Sequence, residues 1–212
     1  MAETDRQRAV VFDFGGVLIT SITNQLSEIA TTHAVDVMTM KAVLLGPHDS
    51  GDHPWHRAER GEIPVEQIQD RLQPWAGDVG VELAGDEIER LLRPGGYTIV
   101  EEMIERVASL RAAGHATGLL TNTFLEFRPT MQRDIDFDLF DAVIESFAVG
   151  ARKPEPAIYA AVERELGRSA DEIVYLDDFA ENLVEPIRRG WRTVHVGDHR
   201  RALADLEAVL QR

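Results

Sequence analysis

Five short apolar runs constrain this chain more than any other feature: Ala9 to Phe14, Ala116 to Leu120, Phe140 to Ile144, Ile173 to Leu176 and Thr193 to Val196. Each is short, β-prone and bounded by turn or helix signals, so each reads as a buried strand. Helical patterns lie between the later ones. Val100, Ile104, Val107 and Leu110 recur at helical spacing before a stop at Gly114. Pro156 to Leu166 and Ala180 to Arg189 follow, and a last helix over 201–210 carries Leu203, Leu206 and Leu210 on one face. Strands alternating with helices specify an α/β fold around a covered parallel sheet. Between the first two runs the text changes. From Ser21 to about Gly95, helical stretches such as Asn24 to Val35 and Val65 to Leu72 are broken by Gly46-Pro47, Gly51, Pro54, Gly61, Pro74 and Gly77. That stretch reads as a helical insertion. Pro186 lies inside a helical pattern and predicts a kink or a first turn. Ser169 and Glu172 have capping-box spacing, but a strand follows at once, which favours a turn.

A chain of 212 residues, 44% hydrophobic and 28% charged, suits one domain with a modest insertion. Twenty-two basic residues against 37 acidic ones leave a net charge of −15, which repels a phosphate backbone and argues against nucleic acid as a partner. The absence of cysteine excludes a disulfide framework, a thiol nucleophile and a thiolate zinc site. The N-terminus is polar, and the apolar run after it is short and contains Asp13, so it is neither a signal peptide nor a membrane span. A soluble, cytoplasmic protein with no membrane partner is the expectation, and an apolar face on the insertion could support a homodimer.

Ligands of an open parallel sheet gather at the carboxyl ends of its strands. There the sequence places Asp13, Thr121-Asn122, Lys153 within Gly150-Ala151-Arg152-Lys153-Pro154, and Asp177-Asp178. Singly, the aspartates and Thr121 read as turn or cap residues and Lys153 as a solvated loop residue. Together they supply three carboxylates, a hydroxyl and an ammonium. Converging carboxylates call for a cation, hard oxygen ligands suit Mg²⁺, and a hydroxyl and a lysine beside that ion suit a phosphate.

The order Phe12-Asp13-Phe14-Gly15-Gly16-Val17, Leu119-Leu120-Thr121-Asn122, Arg152-Lys153-Pro154 and Tyr175-Leu176-Asp177-Asp178-Phe179-Ala180-Glu181-Asn182 resembles the four motifs of the haloacid dehalogenase-like hydrolase superfamily. Glu59-Arg60-Gly61-Glu62-Ile63 and Glu145-Ser146 resemble the branch that includes the N-terminal phosphatase domain of soluble epoxide hydrolase. The resemblance implies a Rossmann-like core from residues 1–20 and 96–212, and a helical cap from residues 21–95. By similarity Asp13 attacks phosphorus to form an aspartyl phosphate. Asp13, the Gly15 carbonyl and Asp178 hold Mg²⁺, with Asp177 supporting it through water. Thr121, Lys153 and the Asn122 amide bind phosphoryl oxygens, and Asn182 orders the fourth loop. The implied activity is a Mg²⁺-dependent phosphatase acting on a small phosphorylated metabolite.

Position 15 departs from the family pattern, in which most phosphatases carry a second aspartate that serves as acid and then base. Here Gly15 stands in its place. General acid–base help is worth about 10²–10⁴ in rate. Two alternatives stand beside the phosphatase: a 2-haloacid dehalogenase, which uses the same aspartate without a metal, and, because of Gly15, a catalytically weak or silent relative that binds a phosphorylated ligand. A substitute acid could come from His48, Asp49, Asp52, His53 and His56 beside Trp55, although a solvated polar loop is the simpler reading. Arg57 and Arg60 either meet an anionic substrate or face solvent.

Overall fold

The strand β1 (Ala9–Phe12) is fully buried and occupies the centre of the sheet. Its alternation explains the layering. Val10 and Phe12 enter one apolar cluster, Ala9 and Val11 the other, as the two-residue period of a strand requires. The computed structural model describes residues 7–47, 51–93 and 95–211. Within them β1 is followed by α1 (Thr23–Thr32), α2 (Val37–Leu45), α3 (Pro54–Glu59), α4 (Ile68–Arg71), α5 (Gln73–Gly77) and α6 (Glu87–Leu91). Then come α7 (Glu101–Ala112), β2 (Ala116–Thr121), α8 (Arg128–Asp134), β3 (Ala142–Glu145), α9 (Ser146–Val149) and α10 (Pro156–Leu166). The chain ends with β4 (Ile173–Asp177), α11 (Ala180–Arg189), β5 (Arg192–His195) and α12 (His199–Leu210).

All five strands pair in parallel in the order β3-β2-β1-β4-β5. Helices α7, α8 and α12 cover the face that holds Val10 and Phe12, and α10 and α11 cover the other. The sheet is thus buried on both sides, as its apolar strands demand. The order reverses between β1 and β4, where an open α/β sheet forms its crevice. Phe12 pairs with both Leu119 and Leu176, so the next residue, Asp13, falls beside Asp177.

The stretch between β1 and α7 leaves and rejoins the sheet region at one place. Ile19 and Ile99 form an antiparallel bridge, and the Thr20 amide donates to the Thr98 carbonyl at 2.9 Å. Its helices bury an apolar cluster of their own, including Leu26, Met40, Leu44, Trp55, Ile68, Leu72 and Leu91, joined from outside by Phe124. Each such side chain contributes roughly 1.5–3 kcal/mol on burial.

Some details depart from the sequence expectations. β3 begins two residues late because Phe140 closes the 3₁₀ turn Phe137–Leu139, its amide donating to the Phe137 carbonyl at 3.0 Å. A turn does precede β4, a single 3₁₀ turn over Ala170–Glu172. The capping-box chemistry is present as well, because Glu172 Oε2 accepts from the Ser169 amide at 2.9 Å. Among the described residues, no helix is long and apolar enough to cross a membrane.

Candidate active site

β1, β2 and β4 end on the same edge of the sheet, and the chain brings Asp13, Thr121 and Asp177 there with exposures of 6%, 3% and 0%. Lys153 arrives from the loop between α9 and α10. It is 1% exposed, so its reading as a solvated residue fails. Its Nζ lies 2.7 Å from Asp13 Oδ1 and 2.8 Å from Asp177 Oδ2. Asn122 clamps this lysine through its backbone: Asn122 Oδ1 accepts from the Lys153 amide at 2.7 Å, and Nδ2 donates to its carbonyl at 3.1 Å. One amide hydrogen of Asn122 is left over. The loop after β2 is itself held by Ser146, whose Oγ accepts from the Thr123 amide at 2.9 Å.

Asp177 is saturated. Its Oδ1 accepts from the Phe179 amide at 2.7 Å and from Asn182 Nδ2 at 3.1 Å. Its Oδ2 accepts from Lys153, from Asn182 at 3.1 Å and from the Tyr175 hydroxyl. Asn182 therefore does order the fourth loop. Asp178 contrasts with its neighbour, because its Oδ1 is buried with no hydrogen-bond partner among the described residues. Gly16 makes room for it. A Cβ at position 16 would sit 2.2 Å from Asp178 Oδ2, and the φ of +71° already disfavours other residues.

These contacts leave an electrostatic imbalance. Burial lifts the Asp13 carboxyl well above the ordinary carboxylate range, Lys153 pulls it back in part, and Asp177 and Asp178 push it up further. Asp178 is pushed up to about 7 by burial and by Asp177. Burial opposes the charge on Lys153, but Asp13 and Asp177 outweigh it and hold the ammonium above its usual range. One cation does not balance three converging acids. Oxygens of Asp13, Asp177 and Asp178 lie within 4.8 Å of one another, the one such cluster of potential metal-binding groups among the described residues. An unpartnered buried carboxylate oxygen in an all-oxygen cluster fits a hard divalent cation such as Mg²⁺.

Asp13, Asp178 and Lys153 open into a cavity of about 550 Å³, with Asp177 buried behind them. Gly15, Thr121 and Asn122 line it below, while the insertion supplies Leu26, Met38, Lys41 and Trp55. Lys41 Nζ sits 4.4 Å from the centre of the Phe179 ring, next to Asp178.

The region read as a source of a substitute acid is only partly a solvated loop. His48 and Asp49 lie outside the described residues. His53 and His56 are 0% and 2% exposed, which corrects the solvated reading for both. His53 caps α3, with Nδ1 accepting from the Trp55 amide at 3.2 Å and Nε2 donating to the Val43 carbonyl at 3.1 Å. Burial, with His56 close by, lowers its pKa to about 4 and keeps it neutral. His56 lines the cavity. Arg57 pairs with Glu62, and Arg60 with Glu62 and Glu155, so neither faces the cavity.

The sequence reading missed several supporting groups. Tyr175 packs against Tyr159 and Trp191 under Asp177. The strand period places Tyr175 and Asp177 on one face, a signal available from spacing alone. His195 Nε2 donates to the Asp178 carbonyl at 3.0 Å and His199 Nε2 to the Gly16 carbonyl at 3.1 Å. No spacing in the sequence points to either.

The family model of haloacid dehalogenase-like hydrolases matches residues 7–184. The chain is a haloacid dehalogenase-like hydrolase. It is 31% identical over 206 residues to mouse acyl-CoA dehydrogenase family member 10, covering 96% of this chain and 19% of that protein. It is 37% identical over 119 residues to rat bifunctional epoxide hydrolase 2, covering 53% of this chain and 21% of the relative. The hydrolase thus spans about a fifth of each. The sesquiterpene phosphatase astK of Aspergillus oryzae is 27% identical, with 90% of both chains covered. Among solved structures, a haloacid dehalogenase family enzyme of Bacteroides thetaiotaomicron in complex with magnesium and inorganic phosphate matches with TM-score 0.65, 19% identity and 91% and 96% coverage. The L-2-haloacid dehalogenase of Xanthobacter autotrophicus matches with TM-score 0.63, 21% identity and 93% and 81% coverage. These two likenesses concern the fold of the hydrolase alone.

Proposed function

We propose that this hydrolase is a Mg²⁺-dependent phosphatase whose substrate is a small phosphate ester, with residues 21–95 acting as a cap over a core of residues 1–20 and 96–212. The observation that carries the reading is the constellation of Asp13, Lys153 and Asp178 at the floor of a cavity, with Asp177 buried against them. Asp13 is the nucleophile. Its carboxylate oxygen bonds to phosphorus as the ester oxygen departs with the bonding pair, and water then attacks the aspartyl phosphate to release inorganic phosphate. Lys153, 2.7 Å from Asp13, favours the charged form of that carboxylate against the burial that opposes it, and offers its ammonium to phosphoryl oxygens. The Thr121 hydroxyl and the spare Asn122 amide hydrogen supply donors to the same oxygens. Asp13, the Gly15 carbonyl and Asp178 would hold Mg²⁺, and the saturated Asp177 fixes Lys153 and the fourth loop around it. When bound, Mg²⁺ supplies the positive charge that lets an anionic carboxylate approach an anionic phosphate.

The cavity walls bear on the substrate. Leu26, Met38 and Trp55 face the site from the cap, and Phe124 and Phe127 from the core. Such walls favour a phosphate ester of an apolar alcohol, and the Aspergillus relative is named as a sesquiterpene phosphatase. The dehalogenase alternative leaves the Asp178 oxygen without a use, and the silent alternative rests on Gly15 alone.

The test is phosphate release from a panel of isoprenyl, alkyl and sugar phosphates with Mg²⁺. The expected result is release that favours the apolar esters, is abolished by a chelator, and falls about 10³-fold or more in Asp13→Asn. Chelator-insensitive halide release from 2-haloacids would favour the dehalogenase. Silence on both panels, with a phosphate-dependent rise in Tm, would favour the binding protein.

A further inference from the structure

The turn Glu59-Arg60-Gly61 that closes α3 has no part in the proposed chemistry, yet it is joined to the Lys153 loop by two reciprocal ion pairs. Arg152 Nε donates to Glu59 Oε2 at 2.5 Å, and both side chains are buried. Arg60 Nη1 donates to Glu155 Oε1 at 3.2 Å, and the other oxygen of Glu155 accepts from the Arg152 amide at 3.2 Å. One side of the contact offers a carboxylate and then a guanidinium, and the other offers their complements. The two core partners, Arg152 and Glu155, bracket Lys153 and Pro154. Gly61 makes the approach possible: its φ is +70°, and a Cβ there would lie 2.8 Å from the Phe147 carbonyl oxygen. The second Glu59 oxygen accepts from Trp55 Nε1 at 2.8 Å, so the acid also fixes an indole that lines the cavity.

A buried ion pair is a poor stability device, since desolvation offsets much of its attraction, but separating its partners leaves two buried charges uncompensated, which opposes any other placement of the two segments. We infer that Glu59 is a positioning residue: through Arg152 it fixes the Lys153 loop when α3 is seated, so that seating of the helical insertion sets Lys153 against Asp13. The mechanical part of this inference stands on the geometry alone, and the kinetic part rests on the phosphatase reading.

Three variants of the full chain test it: Glu59→Gln, which keeps an acceptor for Trp55 and removes the charge, Arg152→Met, and the double variant, which removes both charges together. Amide hydrogen exchange over residues 150–157 reads the loop directly. Glu59→Gln is expected to speed exchange at the amides of Arg152, Lys153 and Glu155 by about tenfold. On the best phosphate ester it lowers kcat by about 10- to 100-fold while KM stays within about twofold, as a misplaced reacting group does. The double variant is no slower than the worse single one, because the two residues act as a unit. Unchanged exchange, or kinetic effects that multiply, overturns the inference. If the wild-type chain releases phosphate from no ester, the phosphatase reading fails and the exchange measurement alone decides the positioning role.

Discussion

Gly15 and Gly16 are adjacent and under opposite constraints. At position 16 the positive φ and the Asp178 carboxylate exclude any side chain. At position 15 a Cβ would meet nothing within 4 Å among the described residues, and the residue lines the cavity. The site therefore has room for the acid that most family phosphatases carry there. Gly15→Asp is expected to leave Tm within about 2 °C, and to raise kcat on alkyl phosphates, whose leaving groups need a proton, by roughly tenfold or more. Aryl phosphates, with good leaving groups, should change little. An unchanged rate on alkyl phosphates, in a steady-state comparison, would mean that another group already supplies the proton. The sequence made position 15 conspicuous, but the free space around it appears only in three dimensions.

Helix α11 shows how one element combines helix-breaking chemistry with support of the site. Pro186 lies inside it and has no amide hydrogen for the Asn182 carbonyl, its usual partner four residues back. The Tyr159 hydroxyl of α10 donates to that carbonyl at 2.8 Å. Asn182 meanwhile holds both Asp177 oxygens. An interruption that reads as a kink thus ties α10 to the fourth loop. Tyr159→Phe is expected to leave the buried carbonyl unsatisfied, at a cost of about 1–3 kcal/mol, and to lower Tm by about 3–10 °C. In a Pro186→Ala background the restored amide satisfies the carbonyl, so the same tyrosine change should cost less. Equal costs in the two backgrounds, read by thermal denaturation, would show that the proline and the tyrosine are uncoupled.

On the scale of the whole molecule, the net charge of −15 falls as pH drops, which relieves self-repulsion. His53 acts in the opposite direction. Its pKa is about 4 in the fold against 6.5 for the free side chain, so the unfolded chain binds more protons between those values. Its contribution is fully present above pH 6.5 and is lost as pH falls toward 4. His53→Asn keeps a capping acceptor for α3 but removes the titration. The Tm gap between wild type and this variant is therefore expected to be widest at pH 7.5 and to narrow toward pH 4.5. A gap that stays constant across that range would show that His53 does not titrate on unfolding.

The sequence by itself determined the alternation of strand and helix and the strand-end residues that mark the family. Those features follow from local periodicity and from the rule that parallel strands present their ends on one edge. Only the tertiary structure decided which side chains are spent and which are free. Asp177 is consumed by donors while Asp178 keeps an open oxygen, Asn122 is turned onto the Lys153 backbone, and His53 is a buried cap. Glu59 and Arg152 meet across 93 residues of chain. Hydrogen-bond saturation and burial depend on neighbours brought together by folding, and no spacing along one chain encodes them.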